Sequence, residues 1–210
     1  KKSDVLMFFD YPASQEIFHE ILQKSSPKAL HFMNYEIKEF DEKETLKKAM
    51  LIFWEQGYEK TSINDLVEGM GIHRKSLYDT FGGKHELFLK VIENYNEIIK
   101  NKLLSEISKT TSCNEVIETL FNLAIDSNFL GCMFVNSATE LANRDKEINE
   151  IVTNSFFQSE NFIEEIIKRG QKNGEFSSSC DSKLLAESIH NSLLGIRVMS
   201  RTSTEKEKLN

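Results

Sequence analysis

Gly57-Tyr58-Glu59-Lys60-Thr61-Ser62-Ile63-Asn64-Asp65-Leu66-Val67, followed three residues later by Gly71-Ile72-His73-Arg74-Lys75-Ser76-Leu77-Tyr78-Asp79-Thr80-Phe81-Gly82-Gly83-Lys84, is the stretch that decides the fold. Thr61 or Ser62 caps a helix, and Ser62-x-x-Asp65 fits a capping box, in which hydroxyl and carboxylate each bond the other residue's backbone N–H. Ile63, Leu66 and Val67 supply its buried face before Gly69-Met70-Gly71 breaks it. The pattern predicts a further short helix over Ile72–Phe81, with Ile72, Leu77 and Phe81 inward and Gly82-Gly83 as its stop. Upstream, Leu46, Ala49, Met50, Phe53 and Trp54 recur at the spacing of one helical stripe that ends at Gly57. Short helices joined by glycine turns, the last two within about twenty residues, have helix-turn-helix geometry.

Outward from this core the pattern stays helical. Long or medium helices are expected from about Lys84 to Ser108, Asn114 to Ser127, Gly131-Cys132 to Ala142, Glu147 to Gln171 and Asp181 to Arg201. Only 2 Pro and 9 Gly interrupt 210 residues, which favours long elements over many short strands. The expected fold class is all-α. Residues 1–34 read differently, as a strand–helix–strand piece with apolar runs at Val5–Phe9 and Ala29–Met33 around a helical Ser14–Lys24. That piece is expected to be foreign to the domain, with a natural start near Met33. Ser203–Asn210 reads as the first turns of a helix that is cut off.

No apolar run approaches the roughly 18 residues needed to span a bilayer, and no secretory signal opens the chain. Three cysteines, Cys113, Cys132 and Cys180, are an odd number without a CxxC pair. A disulfide scaffold or zinc cluster is therefore not expected, and a reducing cytoplasm fits best. No metal site or cofactor is expected.

The net charge of −7 repels nucleic acid as a whole, so a DNA-binding surface has to be a local patch. Residues 71–84 supply one, with Arg74, Lys75 and Lys84 against the single acid Asp79. Phosphates are met by cations, hydroxyls and helix N-termini. Thr61 and Ser62 open one helix, Tyr78 and Thr80 lie on the next, and Lys84 opens the long one. Base reading falls to the exposed start of the third helix, at His73, Arg74, Lys75 and Ser76, because the N-terminal residues of a recognition helix enter the major groove. Arg74 and Lys75 suit guanine, while Ser76 suits several bases.

The elements GY-x-x-TS, GI-x-x-x-SLY-x-x-F and K-x-x-L, in this order and spacing, closely resemble the tetracycline-repressor (TetR) family of bacterial transcription regulators. The resemblance is strong over roughly residues 40–90, and the remainder is similar in length and layout to the family's regulatory domain. It implies phosphate contacts from Thr61, Tyr78 and Lys84. It also implies a DNA-binding domain over 35–85 and an effector-binding and dimerisation domain over 86–210. His73 departs from the pattern, since many relatives carry a small hydroxyl there as the cap, and imidazole caps poorly.

In the second half, Cys132, Asn136 and Glu140 fall at i, i+4 and i+8, on one side of a helix. Such a polar ladder either lines a pocket or hydrogen-bonds within a helix–helix seam. The GC-x-x-x-N-x-x-x-E run that contains it is also similar to a subgroup of the family. Fifteen Phe are either plain core or the wall of an apolar cavity. Tyr95, Phe121, Phe129, Met133, Asn136 and Phe156 are the candidate lining for the small lipophilic effector that the resemblance implies. A homodimer is expected, because a single reading head contacts few bases. The resemblance places its interface on the last two helices, with Leu185, Ile189, Leu193 and Ile196 as the seam.

The leading expectation is a ligand-responsive repressor that binds a palindromic, double-stranded operator as a dimer; an activator on the same fold stays open. An enzyme is not expected, because the chain has no Gly-rich phosphate loop, HExxH or G-x-S-x-G. The alternative is a helical protein-interaction module whose basic helix binds an acidic partner.

Overall fold

The computed structural model of the chain describes residues 41–125 and 130–202. The expected strand–helix–strand piece, the candidate Phe129 and the helix expected after Ser203 lie outside those residues. Eight helices order the described chain: α1 (Glu42–Gln56), α2 (Ile63–Met70), α3 (Arg74–Phe81), α4 (Lys84–Ile107), α5 (Cys113–Ile125), α6 (Met133–Leu141), α7 (Lys146–Asn173) and α8 (Ser182–Met199).

Local chemistry sets most of the boundaries. Asp41 caps α1 by accepting from the N–H groups of Lys43 and Glu44. The capping box of α2 forms as its sequence requires, with Asp65 N–H donating to Ser62 Oγ at 3.1 Å and Ser62 N–H donating to Asp65 Oδ2 at 2.7 Å. Gly71 ends α2 in the left-handed conformation, φ 71°, which costs a glycine nothing. Asp145 and Asp181 cap α7 and α8 through the N–H groups of Ile148 and Leu184.

The third helix begins at Arg74, two residues later than its pattern predicts. Ile72 stays in the turn, where its N–H donates to Val67 O and its side chain packs on the core. His73 stands at the N-cap but makes no side-chain bond there, as expected of an imidazole.

The start of α5 is capped from a distance. One oxygen of Glu175, in the α7–α8 connection, accepts from Ser112 Oγ (2.8 Å), Cys113 N (2.7 Å) and Asn114 N (3.3 Å). Two N–H groups that a helix start leaves unpaired, and the hydroxyl beside them, are thereby met by a single carboxylate.

The core has two main parts. In the first, Ala49, Phe53, Leu66, Leu77, Phe81, Leu87 and Val91 of α1–α4 continue without a break into Tyr95, Met133, Phe134, Ile148 and Val152. The second joins Leu120 and Ala124 of α5, Ile163 and Ile167 of α7, and Ala186 and Leu193 of α8. No described helix is long and apolar enough to cross a membrane.

Candidate nucleic-acid interface

In α3, Leu77 and Phe81 face the core, while Arg74, Lys75, Tyr78 and Asp79 face solvent. Tyr78 is 46% exposed, which removes it from the core and leaves its phenol outward. Ser76 and Thr80 are half-buried, and His73 is exposed. The nine expected DNA-facing residues therefore lie along one stretch of turn and helix, with one clear exception.

That exception is Thr61. It is 1% exposed, and its hydroxyl donates to Gly57 O at 2.6 Å. A hydroxyl has one proton to donate, and this one is committed inside the turn. The phosphate contact expected of Thr61 does not fit that position. Its exposed neighbour Ser62 accepts Asp65 N–H and keeps its own proton for an outside acceptor.

Two supporting residues were not found in the sequence. Arg74 donates from Nη2 to Asn64 Oδ1 on α2 at 2.6 Å, which fixes the guanidinium at the head of α3. Lys84 holds its ammonium 4.2 Å from the centre of the Tyr58 ring, at the start of α4. A cation over an aromatic face is attracted by the ring quadrupole. Tyr58 is itself wedged against Phe53 and Phe88. Burial first, then the carboxylates of Asp145, Glu59 and Glu86, push its phenol above the ordinary pKa, so the ring stays neutral beneath the cation. The Gly-Tyr pair at 57–58 was the available signal, but nothing local links Tyr58 to Lys84.

The polar ladder of α6 resolves into three separate attachments. Cys132, at the N-cap, meets the buried hydroxyl of Tyr95. Asn136 donates to Leu130 O at 3.0 Å and so closes the loop before α6. Glu140 reaches the turn between α1 and α2, where Tyr58 N–H and Glu59 N–H donate to its two oxygens at 3.1 and 2.8 Å. Gly57 makes this approach possible: a Cβ there would lie 3.0 Å from both oxygens, and its φ of 83° disfavours a side chain in any case. A second link joins His85 Nε2 of α4 to Asp145 Oδ2 at the head of α7, 2.8 Å apart.

The candidate effector residues do not form one group. Tyr95 and Met133 are buried in the first core and Phe156 packs against it, whereas Phe121 packs on the second. Asn136 has one amide N–H engaged with the Leu130 carbonyl. The expected dimer seam also points elsewhere. Leu193 is 1% exposed, and Leu185, Ile189 and Ile196 pack with it against α5 and α7 inside the subunit. An amphipathic stripe announces burial but not against what, and here the subunit's own core uses it. The exposed apolar side chains of α8 are Leu184, Val198 and Met199.

A helix-turn-helix carried by a helical bundle, with cations and a phenol on its outer helix, defines a DNA-binding regulator, and comparison with known proteins agrees. Residues 46–91 match the family described as bacterial regulatory proteins, tetR family, and residues 114–210 match the tetracyclin repressor-like C-terminal domain. The chain belongs to the TetR family of helix-turn-helix transcriptional regulators. It is 29% identical over 178 residues to the uncharacterized HTH-type transcriptional regulator YezE of Bacillus subtilis, covering 82% of this chain and 92% of that one. It is also 29% identical to the HTH-type transcriptional repressor ComR of Escherichia coli, over 82% of this chain and 85% of the relative. The regulator CifR, solved as a cysteine mutant complexed with 26bp double-strand operator DNA, superposes with a TM-score of 0.73 at 25% identity, over 81% of this chain and 92% of CifR.

Proposed function

We propose that the protein is a ligand-responsive repressor that acts as a homodimer on a palindromic operator. The observation that carries this reading is the outward row of Arg74, Lys75 and Tyr78 on α3, with Lys84 held beside it by Tyr58. Arg74, Lys75 and Ser76 read base edges, with His73 at the entry to the groove. Ser62, Tyr78, Thr80 and Lys84 bind the backbone on either side. The repressor assignment is supported by the name of ComR, and the operator by the DNA complex of CifR.

Residues 35–85 form the reading head in this proposal, and 86–210 bind the effector and the second subunit. The dimer face is the outer stripe of α8, through Leu184, Ser188, Asn191, Gly195 and Val198, spaced as one side of a helix. Leu184 and Val198 are 63% and 53% exposed, and a Cβ at Gly195 would meet nothing within 4 Å, so this side is open to a partner helix. The effector, a small lipophilic molecule, is taken near Tyr95, Met133 and Phe156. It releases DNA by binding the released state more tightly than the DNA-bound one.

Selection of bound duplexes from a random pool tests the reading. The expected result is an inverted repeat with half-sites about one helical turn apart. A folded dimer that enriches no sequence at low salt would instead favour a protein-interaction module.

A further inference from the structure

Among the described residues two buried polar atoms have no hydrogen-bond partner, Trp54 Nε1 and His190 Nε2. Folded interiors seldom leave such atoms unpaired, and each marks a place where a group from outside can complete the bonding.

His190, on α8, is 4% exposed and meets the Phe156 ring of α7 edge-on at 5.8 Å. Its Nδ1 stands 3.8 Å from Glu160 Oε2, beyond hydrogen-bond range, and Nε2 is on the other side of the ring. Two helical turns further along α8 is Arg197, whose charge reaches both His190 and Tyr95 of α4. Among the described residues Arg197 has no ion-pair partner. Burial, and then Arg197, lower the His190 pKa against the smaller upward pull of Glu160, so at the imidazole the positive charge of Arg197 outweighs the negative one of Glu160.

The unfilled bonding roles point the same way. An indole N–H and a guanidinium only donate, and an imidazole can donate at Nε2. What they lack is an acceptor, and a negatively charged one suits the local field. The surroundings are aromatic: Trp54 packs edge-on against Tyr95 at 5.1 Å, Tyr95 against Phe134 at 5.6 Å, and Phe156 against the same core.

We propose that this place between α4, α7 and α8 binds a carboxylic acid with an apolar body, its carboxylate on Arg197 and His190 and its body along Phe156, Tyr95 and Trp54. The proposal rests on the effector-responsive reading above and narrows the lipophilic effector to an acid.

Trp54 is the single tryptophan, so its fluorescence reports from beside the site. The full chain is titrated below micelle concentrations with dodecanoate, dodecanol and dodecylammonium, which share a body and differ in the head group. Dodecanoate is expected to shift the Trp54 emission and to bind tightest. Arg197→Gln is expected to weaken dodecanoate about tenfold or more while changing dodecanol little. Equal binding of the three probes, tightest binding of dodecylammonium, or equal losses for dodecanoate and dodecanol in Arg197→Gln would overturn the assignment.

Should Arg197→Gln fail to fold, Glu160→Gln serves in its place. Removing that negative charge is expected to preserve or tighten dodecanoate binding, and a selective loss would overturn the proposal. Operator binding measured in the same titration separates this inference from the reading beneath it. Dodecanoate bound through Arg197 with the operator complex intact would sink the release mechanism and leave the acid site standing. Operator release by a neutral ligand, with dodecanoate silent at Trp54, would do the reverse.

Discussion

Thr61 and Ser62 are adjacent residues with the same hydroxyl, and the fold gives one to the turn and the other to the surface. The capping box was legible because its spacing is local: Ser62 and Asp65 are three apart, and nothing else is required. The burial of Thr61 was not, because the turn from Gly57 to Ser62 has no period to read. Thr61→Val is expected to lower stability in urea by about 1–2 kcal/mol, through the lost bond to Gly57 O. It should leave the salt dependence of DNA binding unchanged, and a flatter dependence would return Thr61 to the phosphate contacts. At the exposed positions the expectation is opposite. Tyr78→Phe combined with Lys84→Ala should weaken binding to all duplexes alike, because phosphate contacts carry no sequence information, and the lost Lys84 charge should reduce the salt slope by about 1. A change confined to one base position would contradict their assignment to the backbone.

Every described helix was visible in the sequence from its helical pattern, with start caps legible for α2 and α8, and the boundaries fell within a few residues. Partners across the fold were not visible. Glu175 caps α5 from more than sixty positions away, and no pattern within α5 asks for it. The Ser112 hydroxyl holds the Glu175 carboxyl below its ordinary value against the opposing effect of burial, and the N–H groups of Asn114 and Cys113 add to the lowering. A group with a lowered folded pKa stabilises above its unfolded value, and the benefit disappears as the pH falls through the folded one. Wild type should therefore melt above Glu175→Gln at pH 7, with the gap closing below the ordinary carboxylate range; a gap that persists in acid would show that the charge is irrelevant to the cap. Helix α8 presents the same problem of partner identity on its two faces. Leu193→Ala should cost about 2–5 kcal/mol as a buried deletion, measured by denaturant unfolding. Leu184→Glu with Val198→Glu should instead split the dimer in sedimentation while leaving far-UV helicity intact. Dissociation by Leu193→Ala without unfolding would restore the seam expected from the sequence.

At the scale of the whole molecule the helices beyond α4 hold the reading head through both apolar and polar contacts. The core runs unbroken from α1 into α6 and α7, and two polar links accompany it, Glu140 to the α1–α2 turn and His85 to Asp145. Apolar contact tolerates small sliding, whereas a carboxylate bonded to two successive backbone N–H groups has one good geometry. Any rearrangement that moves α6 relative to the turn must break those bonds or carry the turn with it. Under the effector-responsive reading proposed above, Glu140 is the residue through which a shift at the effector end would reach the helix-turn-helix. Spacing placed it on a polar ladder, but its partners are backbone atoms more than eighty positions earlier, beyond the reach of any periodicity. Glu140→Ala strips the acceptor from both N–H groups, at a cost of about 1–3 kcal/mol. Amide exchange at Tyr58 and Glu59 should accelerate, while the Leu66 amide inside α2, which donates to Ser62 O, keeps its protection. Operator affinity should fall together with that loss of local order, because Tyr58 also positions Lys84. Faster exchange with unaltered operator affinity would confine Glu140 to stabilising the turn, and the connection between the two ends of the molecule would then pass to His85 and Asp145.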